Sequence, residues 1–200
     1  MWVSIIGADG SGKRAVADHL ITNHRYKDCS FAPTSVETSL QKELEILTKR
    51  MEQHHVAHKE AVFENALTIR SAIDSVDFFP EYLLKTHRIS KSDYNLIRLF
   101  RSYVLDRLPL PDCVIFLEID KINAHNRSKL KNPDVVITDE EINLQSEIYQ
   151  EITDGIGIPL IRTTMAQDFK DVLTEIDFGL SSIRAANLSQ RSIFRREFYR

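Results

Sequence analysis

Cysteine, glycine and tryptophan are scarce in this 200-residue chain, at two, six and one residues. Cys29 and Cys113 are too few for a disulfide framework, and they match no zinc-ligand spacing. An excess of one charge is also missing: 26 Lys and Arg stand against 29 Asp and Glu, a net charge of −3. That argues against nucleic acid or a membrane surface as the main partner. No apolar run is long enough to span a bilayer. The N-terminal run Trp2–Ile6 is too short to be a secretory signal and has no basic leader. The expected setting is therefore the cytoplasm or another reducing intracellular compartment. There is no internal repeat or low-complexity tract, and the length suits one domain with its own core.

The glycines that are present are concentrated. Three of the six fall in Gly7-Ala8-Asp9-Gly10-Ser11-Gly12-Lys13-Arg14, between an apolar run and the helix-like stretch Ala15–Leu20. This is the strand–loop–helix context in which G-x-x-x-x-G-K-[S/T] acquires meaning as a phosphate-binding loop. Gly7, Gly10 and Gly12 let successive backbone N–H groups turn inward around phosphate oxygens, and the helix N-terminus adds its dipole. Asp9 and Ser11 complete the loop, and Lys13 reaches the β- and γ-phosphates as a point charge. The last position, which normally gives a hydroxyl to Mg²⁺, is Arg14, and a guanidinium does not ligate a metal.

The rest of the chain alternates. A helix is expected to about Asn23 and a strand over Asp28–Ala32. Another helix follows, capped by Thr34 or Ser35 and carrying Leu40, Leu44, Leu47 and Met51 on one face. Ala66–Ile69 reads as a short buried strand, followed by helices over Ile73–Lys85 and Ser92–Leu108, the second capped by Ser90 or Ser92. Cys113–Ile119 has the near-continuous apolar character of a central parallel strand, which makes Cys113 a buried thiol. Thr138-Asp139-Glu140-Glu141 opens an acid-led helix through Ile142, Ile148 and Ile152. Pro159–Thr164 reads as the last strand and Asp168–Ser182 as the last helix. Alternating strands and helices predict an α/β fold, with a parallel sheet of about five strands flanked by helices. Residues 1–187 form the expected domain. Residues 188–200, with Arg191, Arg195, Arg196 and Arg200 among Phe194, Phe198 and Tyr199, form a basic-aromatic tail. It either packs on its own domain or docks a partner subunit or a polyanion. His54 and His58 share a helix face, but two ligands do not make a zinc site, and no residue is assigned to a metal.

The motifs together resemble the thymidylate kinase and deoxyribonucleoside kinase branch of the P-loop kinases, from Trp2 to about Gly179. The loop itself is similar to that of thymidylate kinases. Leu47–His54 resembles a helix of both groups, and Thr68-Ile69-Arg70-Ser71 an acid-Arg-Ser motif at a strand end. Pro111–Leu117 resembles a Pro-Asp signature before an apolar strand, and Ala124–Arg127 with Lys129 and Lys131 a basic lid. Ile89–Leu108 leans towards the nucleoside kinases. The resemblance implies a P-loop kinase fold that transfers the γ-phosphoryl of ATP, with Mg²⁺, to a deoxynucleoside or its monophosphate. It implies that Lys13 clamps the phosphates and Arg70 holds the acceptor, with Asp74 beside it. Arg127, Lys129 and Lys131 close over the transition state, and adenine lies near Thr163 and Thr164. Members of the family are commonly dimers.

Three positions depart from the family pattern. Arg14 replaces the hydroxyl, Ile69 replaces the acid before Arg70, and Ala32 stands where the second strand's carboxylate belongs, with Glu37 as a possible substitute. A second reading follows, in which a catalytically degenerate kinase fold binds nucleotide or serves as a structural subunit. A P-loop ATPase or GTPase of another type ranks last, because no Asn-Lys-x-Asp segment is found.

Overall fold

The apolar runs near the start and the middle of the chain become the two central strands. The computed structural model describes residues 1–31, 39–119, 138–165 and 168–198, with side chains to Asn187. In it β1 (Trp2–Gly7) lies between β3 (Asn65–Ile69) and β4 (Cys113–Glu118), while β2 (Tyr26–Asp28) and β5 (Leu160–Thr164) take the edges. The sheet is wholly parallel, in the order β2-β3-β1-β4-β5. The helices are α1 (Lys13–His24), α2 (Leu40–Phe63), α3 (Phe79–Lys85), α4 (Lys91–Arg107), α5 (Asp139–Gly155) and α6 (Phe169–Phe198).

Side chains alternate across the two central strands, and both faces are covered, which explains why these segments read as unbroken apolar runs. Val3, Ile5, Cys113, Ile115 and Leu117 pack against Val16, Ala17 and Leu20 of α1 and Val172, Ile176 and Leu180 of α6. On the opposite face Ile6, Val114 and Phe116 meet Phe78, Tyr82, Leu83, Ile97, Ile148 and Tyr149. Each such buried side chain contributes about 1.5–3 kcal/mol. This two-sided burial holds β1 and β4, and with them the loop after β1, in fixed register. Helix α6 comes so close to β5 that a Cβ on Gly179 would lie 2.8 Å from Ile161 Cδ1. Cys113 is buried as expected, and burial pushes its thiol up to about 12. Among the described residues no helix is long and apolar enough to cross a membrane.

Several boundaries differ from the sequence-based expectation, each for a local reason. The second strand is Tyr26–Asp28 rather than Asp28–Ala32, because Arg25 ends α1 in the left-handed region (φ 56°) and turns the chain at once onto β3. Thr34, Ser35 and residues 32–38 generally lie outside the described residues. The observed cap of α2 is Ser39, whose hydroxyl accepts from the Lys42 N–H at 3.2 Å. The segment expected as one helix from Ile73 begins as a π turn, Asp74–Phe78, before α3. Ser90, not Ser92, caps α4 through a reciprocal box with Asp93, and Thr138 does the same for α5 with Glu141. The final helix does not stop at Ser182. Its backbone continues to Phe198, through most of the basic-aromatic tail.

His54 is no half of a metal site. It is fully buried in α2, its Nδ1 lies 3.0 Å from the Pro109 carbonyl, and its Nε2 accepts the Ala72 N–H at 2.8 Å. Burial, the largest influence, pushes its pKa down to about 4. The ring thus joins the turn after β3 to the chain entering β4 as a neutral hydrogen-bonding staple.

Candidate active site

The loop Gly7–Lys13 leaves the carboxyl end of β1, where open parallel sheets bind ligands. Gly7, Gly10 and Gly12 all have positive φ, at 143°, 80° and 85°. Gly7 has a second reason to be glycine: a Cβ there would lie 2.6 Å from the Leu117 carbonyl oxygen and 2.8 Å from Ser11 Oγ. The loop closes on itself through Ser11 N–H to the Ala8 carbonyl at 3.2 Å, and Gly12 opens α1. The glycines therefore form a tight turn between β1 and α1. Lys13 Nζ donates across it to the carbonyls of Gly7 at 2.8 Å and Ala8 at 2.6 Å, with Ser11 Oγ at 3.4 Å.

Arg14 does not plug the cradle. It is exposed and reaches away to Asp28 of β2, at 2.9 Å. The place the motif reserves for a magnesium-binding hydroxyl therefore holds an outward-facing cation. Glu118, at the end of β4, accepts from Thr164 Oγ1 at 3.3 Å and lies 3.7 Å from Arg162. The described residues therefore do not fit a Mg²⁺ ion held by the loop's own side chains. The positive-φ glycines and Lys13, at the N-terminus of α1, do fit a polyphosphate.

Arg70 stands opposite the loop. It ends β3 in the left-handed region (φ 65°), a strained conformation for a side-chain-bearing residue and one found most often at functional sites. Its guanidinium donates to Asp9 Oδ1 at 2.6 Å, and its Cζ lies 4.9 Å from the centroid of the Phe79 ring. Burial opposes its charge, but Asp9 and Asp74 more than offset this, and Arg70 is held above the ordinary arginine range. The Asp9 N–H in turn donates to Gln145 of α5 at 3.0 Å. One residue of the glycine-rich loop thus touches both the strand-end arginine and the helix behind it.

Asp74 braces the turn that carries Arg70. Its Oδ2 accepts from the Ser71 N–H at 2.7 Å and from the Ser71 hydroxyl at 3.3 Å, and its Oδ1 accepts from Tyr149 at 2.9 Å. Thr163 donates to Glu175 at 2.5 Å, so the hydroxyls of Thr163 and Thr164 both tie β5 to its neighbours. Arg127, Lys129, Lys131, Ala32 and Glu37 lie outside the described residues, as does the rest of the basic segment.

Sequence reasoning missed a buried polar cluster beside Arg70. Arg50 of α2 is almost fully buried, its Nη1 donates to Ser75 Oγ at 2.8 Å, and its Cζ lies 4.8 Å from the same Phe79 centroid. Burial pushes it down to about 10, with Asp74 opposing that shift. Glu43, two turns earlier on the same face of α2, is also buried. Desolvation raises its carboxyl against the pull of Arg50 and Arg70. Arg50 Nε and Gln53 Oε1 are buried without a hydrogen-bond partner, an uncommon state that marks polar capacity left for water or ligand. The available signal was a polar set, Glu43, Arg50 and Gln53, on the face of α2 that also carries Ile46 and Leu47.

No protein-family model matches the sequence, and no curated protein sequence matches it. The fold does have solved counterparts. A deoxyadenosine kinase structure from M. mycoides with bound dATP superposes at a TM-score of 0.73 and 19% identity, covering 90% of this chain and 99% of that one. A structure of the enzyme with dCMP and a flexible dCDP gives 0.74 and 20% over 91% and 100%, and one with dCTP gives 0.66 and 18% over 91% and 100%. The chain thus has the P-loop kinase fold of deoxyadenosine kinase over nearly its whole length.

Proposed function

We propose that this protein is a nucleoside or nucleotide kinase, which transfers the γ-phosphoryl of ATP to a deoxynucleoside or deoxynucleoside monophosphate. One arrangement supports the reading: the glycine-rich loop with Lys13 meets, through the Asp9–Arg70 pair, a buried polar cluster of Glu43, Arg50 and Asp74. The cradle and Lys13 hold the triphosphate, and Lys13 exchanges loop carbonyls for phosphate oxygens. The acceptor oxygen forms a bond to the γ-phosphorus as the bond to the β,γ-bridging oxygen breaks, and ADP leaves. Such transfer needs positioning and positive charge over the equatorial oxygens more than covalent help. Arg70 supplies that charge from the acceptor side. Asp74 and Tyr149 keep Arg70 in place, which makes Asp74 a positioning residue. Arg127, Lys129 and Lys131 close over the phosphates, and Thr163 and Thr164 border the adenine. Magnesium enters on the triphosphate, as part of the substrate. A monophosphate acceptor brings an anionic oxygen and needs no base. A nucleoside hydroxyl loses its proton to a bordering carboxylate, of which Asp9 and Glu43 are the described ones.

The fold shared with a deoxyadenosine kinase, itself solved with dATP and dCTP, supports this choice of substrate class. The reading includes a reducing intracellular setting and self-association or a partner subunit through the segment after Asn187. The direct test is ADP release over a panel of natural deoxynucleosides and their monophosphates. Turnover with one of them is expected, and none with any would sink the proposal.

One observation favours the second reading, a nucleotide-binding protein without turnover: Arg14 points to Asp28 where the hydroxyl should be. That reading predicts ATP binding indifferent to Mg²⁺, measured by calorimetry with and without the metal.

A further inference from the structure

At the far end of α1, three side chains from two helices converge. His19 and His24 of α1 both direct Nε2 at Asp177 of α6. His19 Nε2 lies 3.2 Å from each carboxylate oxygen and His24 Nε2 lies 2.9 Å from Oδ1. All the ligand-capable atoms lie within 4.8 Å of one another, the one such cluster among the described residues. We propose that His19, His24 and Asp177 form a site for a divalent cation of the zinc class, which staples the end of α1 to α6.

The donor set decides the kind of ion. Two imidazole nitrogens and a carboxylate oxygen suit Zn²⁺, Ni²⁺ or Cu²⁺, whereas Mg²⁺ and Ca²⁺ take oxygen ligands throughout. With metal–nitrogen bonds of about 2.0–2.1 Å, a tetrahedral ion spaces its ligand atoms about 3.3 Å apart. The nitrogen–oxygen separations already match that spacing. All three side chains are partly exposed, so water has access to the fourth position.

The surroundings favour a cation as well. His24 is the last residue of α1, at the negative end of the helix dipole. His19 Nδ1 lies 2.9 Å from Asn23 Nδ2. When Nε2 binds metal, Nδ1 carries the proton and donates to the Asn23 amide oxygen, which half a turn of that amide presents. Asn23 thus supplies the outer hydrogen bond that orients a ligating imidazole.

The site is separate from phosphoryl transfer. His19 and His24 lie six and eleven residues beyond Lys13, about 9 and 16 Å along the helix axis at ~1.5 Å per residue. Its effect is structural: α1 begins at the phosphate cradle and α6 covers β5, and the ion fixes one against the other.

The test uses the full chain, stripped with chelator and titrated with Zn²⁺, and with Co²⁺ as a spectroscopic probe, in millimolar Mg²⁺. One equivalent is expected to bind at micromolar concentration. Visible Co²⁺ bands of a low-coordinate site should appear, and Tm should rise by about 5–10 °C at a hundredfold excess over Kd. His24→Ala and Asp177→Asn should each weaken binding by about a hundredfold. His19→Gln retains a hydrogen-bonding side chain toward Asp177, so the fold survives while the ligand is lost. A His55→Ala/His58→Ala variant should bind as the parent does. Absence of binding, binding that survives loss of His24 and Asp177, or binding that follows His55 and His58 would each overturn the proposal. None of these outcomes bears on the kinase reading.

Discussion

Acid should weaken this protein through a single ring, His54. In the fold its Nε2 accepts the Ala72 N–H and its Nδ1 faces the Pro109 carbonyl. Protonation would place the ring's second hydrogen on Nε2, directly against the Ala72 N–H, in a position with no solvent exposure. The folded pKa is pushed down to about 4 from an ordinary 6.5. The unfolded chain therefore takes up a proton as pH falls below about 6.5, while the folded chain does not until about 4. Stability from this group is complete above 6.5 and declines as pH falls towards 4. At about 1.36 kcal/mol per pKa unit, the loss between pH 8 and pH 5 is about 2 kcal/mol, approaching about 3 kcal/mol at the lower limit. His54→Gln removes the titration but keeps one donor and one acceptor. Urea unfolding of both proteins from pH 8 to pH 5 isolates the effect, because every other titrating group is common to the pair. The wild-type advantage should shrink by about 2 kcal/mol across that range. A gap independent of pH would mean that His54 is not held neutral, and the staple argument would fail. Because Ala72 lies two residues beyond Arg70, acceptor affinity should fall over the same pH window.

Four further outcomes follow from the site. Lys13→Met removes the charge spanning the cradle, and turnover should fall by about 10²–10³ with ATP binding weakened in calorimetry. Gly7→Ala drives a Cβ to 2.6 Å from the Leu117 carbonyl at a φ of 143°; a loss of about 2–3 kcal/mol should appear in thermal unfolding, with ATP binding abolished. Tyr149→Phe leaves Asp74 Oδ1 without its donor, at a cost of about 1–3 kcal/mol in urea unfolding and with a raised acceptor KM at nearly constant kcat. Arg14→Thr should make ATP affinity depend more strongly on Mg²⁺ than it does in the wild type; equal metal dependence in both proteins would refute the account of position 14.

Much of the site's first half was legible because it is local. Three glycines, a lysine and a strand-to-helix junction specify a turn within a dozen residues, and that turn is present. Arg70 and Asp74 were also recognisable as candidates, but their state was not. The guanidinium reaches Asp9, 61 positions away, and Asp74 meets Tyr149, 75 positions away. Glu43, Arg50 and Gln53 went unread for a similar reason. Polar residues on an amphipathic helix look like a solvated face until another element covers them. The same holds for His54, which paired naturally with His58 by helical spacing but whose partners lie across the fold.

Sequence by itself determined the parallel α/β architecture, the two central strands and the glycine-rich turn after β1, because apolar periodicity and glycine placement act over short chain distances. Tertiary structure alone decided where the charges went. Arg14 turned out to Asp28, Arg70 turned in to Asp9, and His19 and His24 came to share Asp177. Charged side chains are long and find partners across the fold, so their pairing is fixed only when the sheet and its helices bring distant segments within a few ångströms.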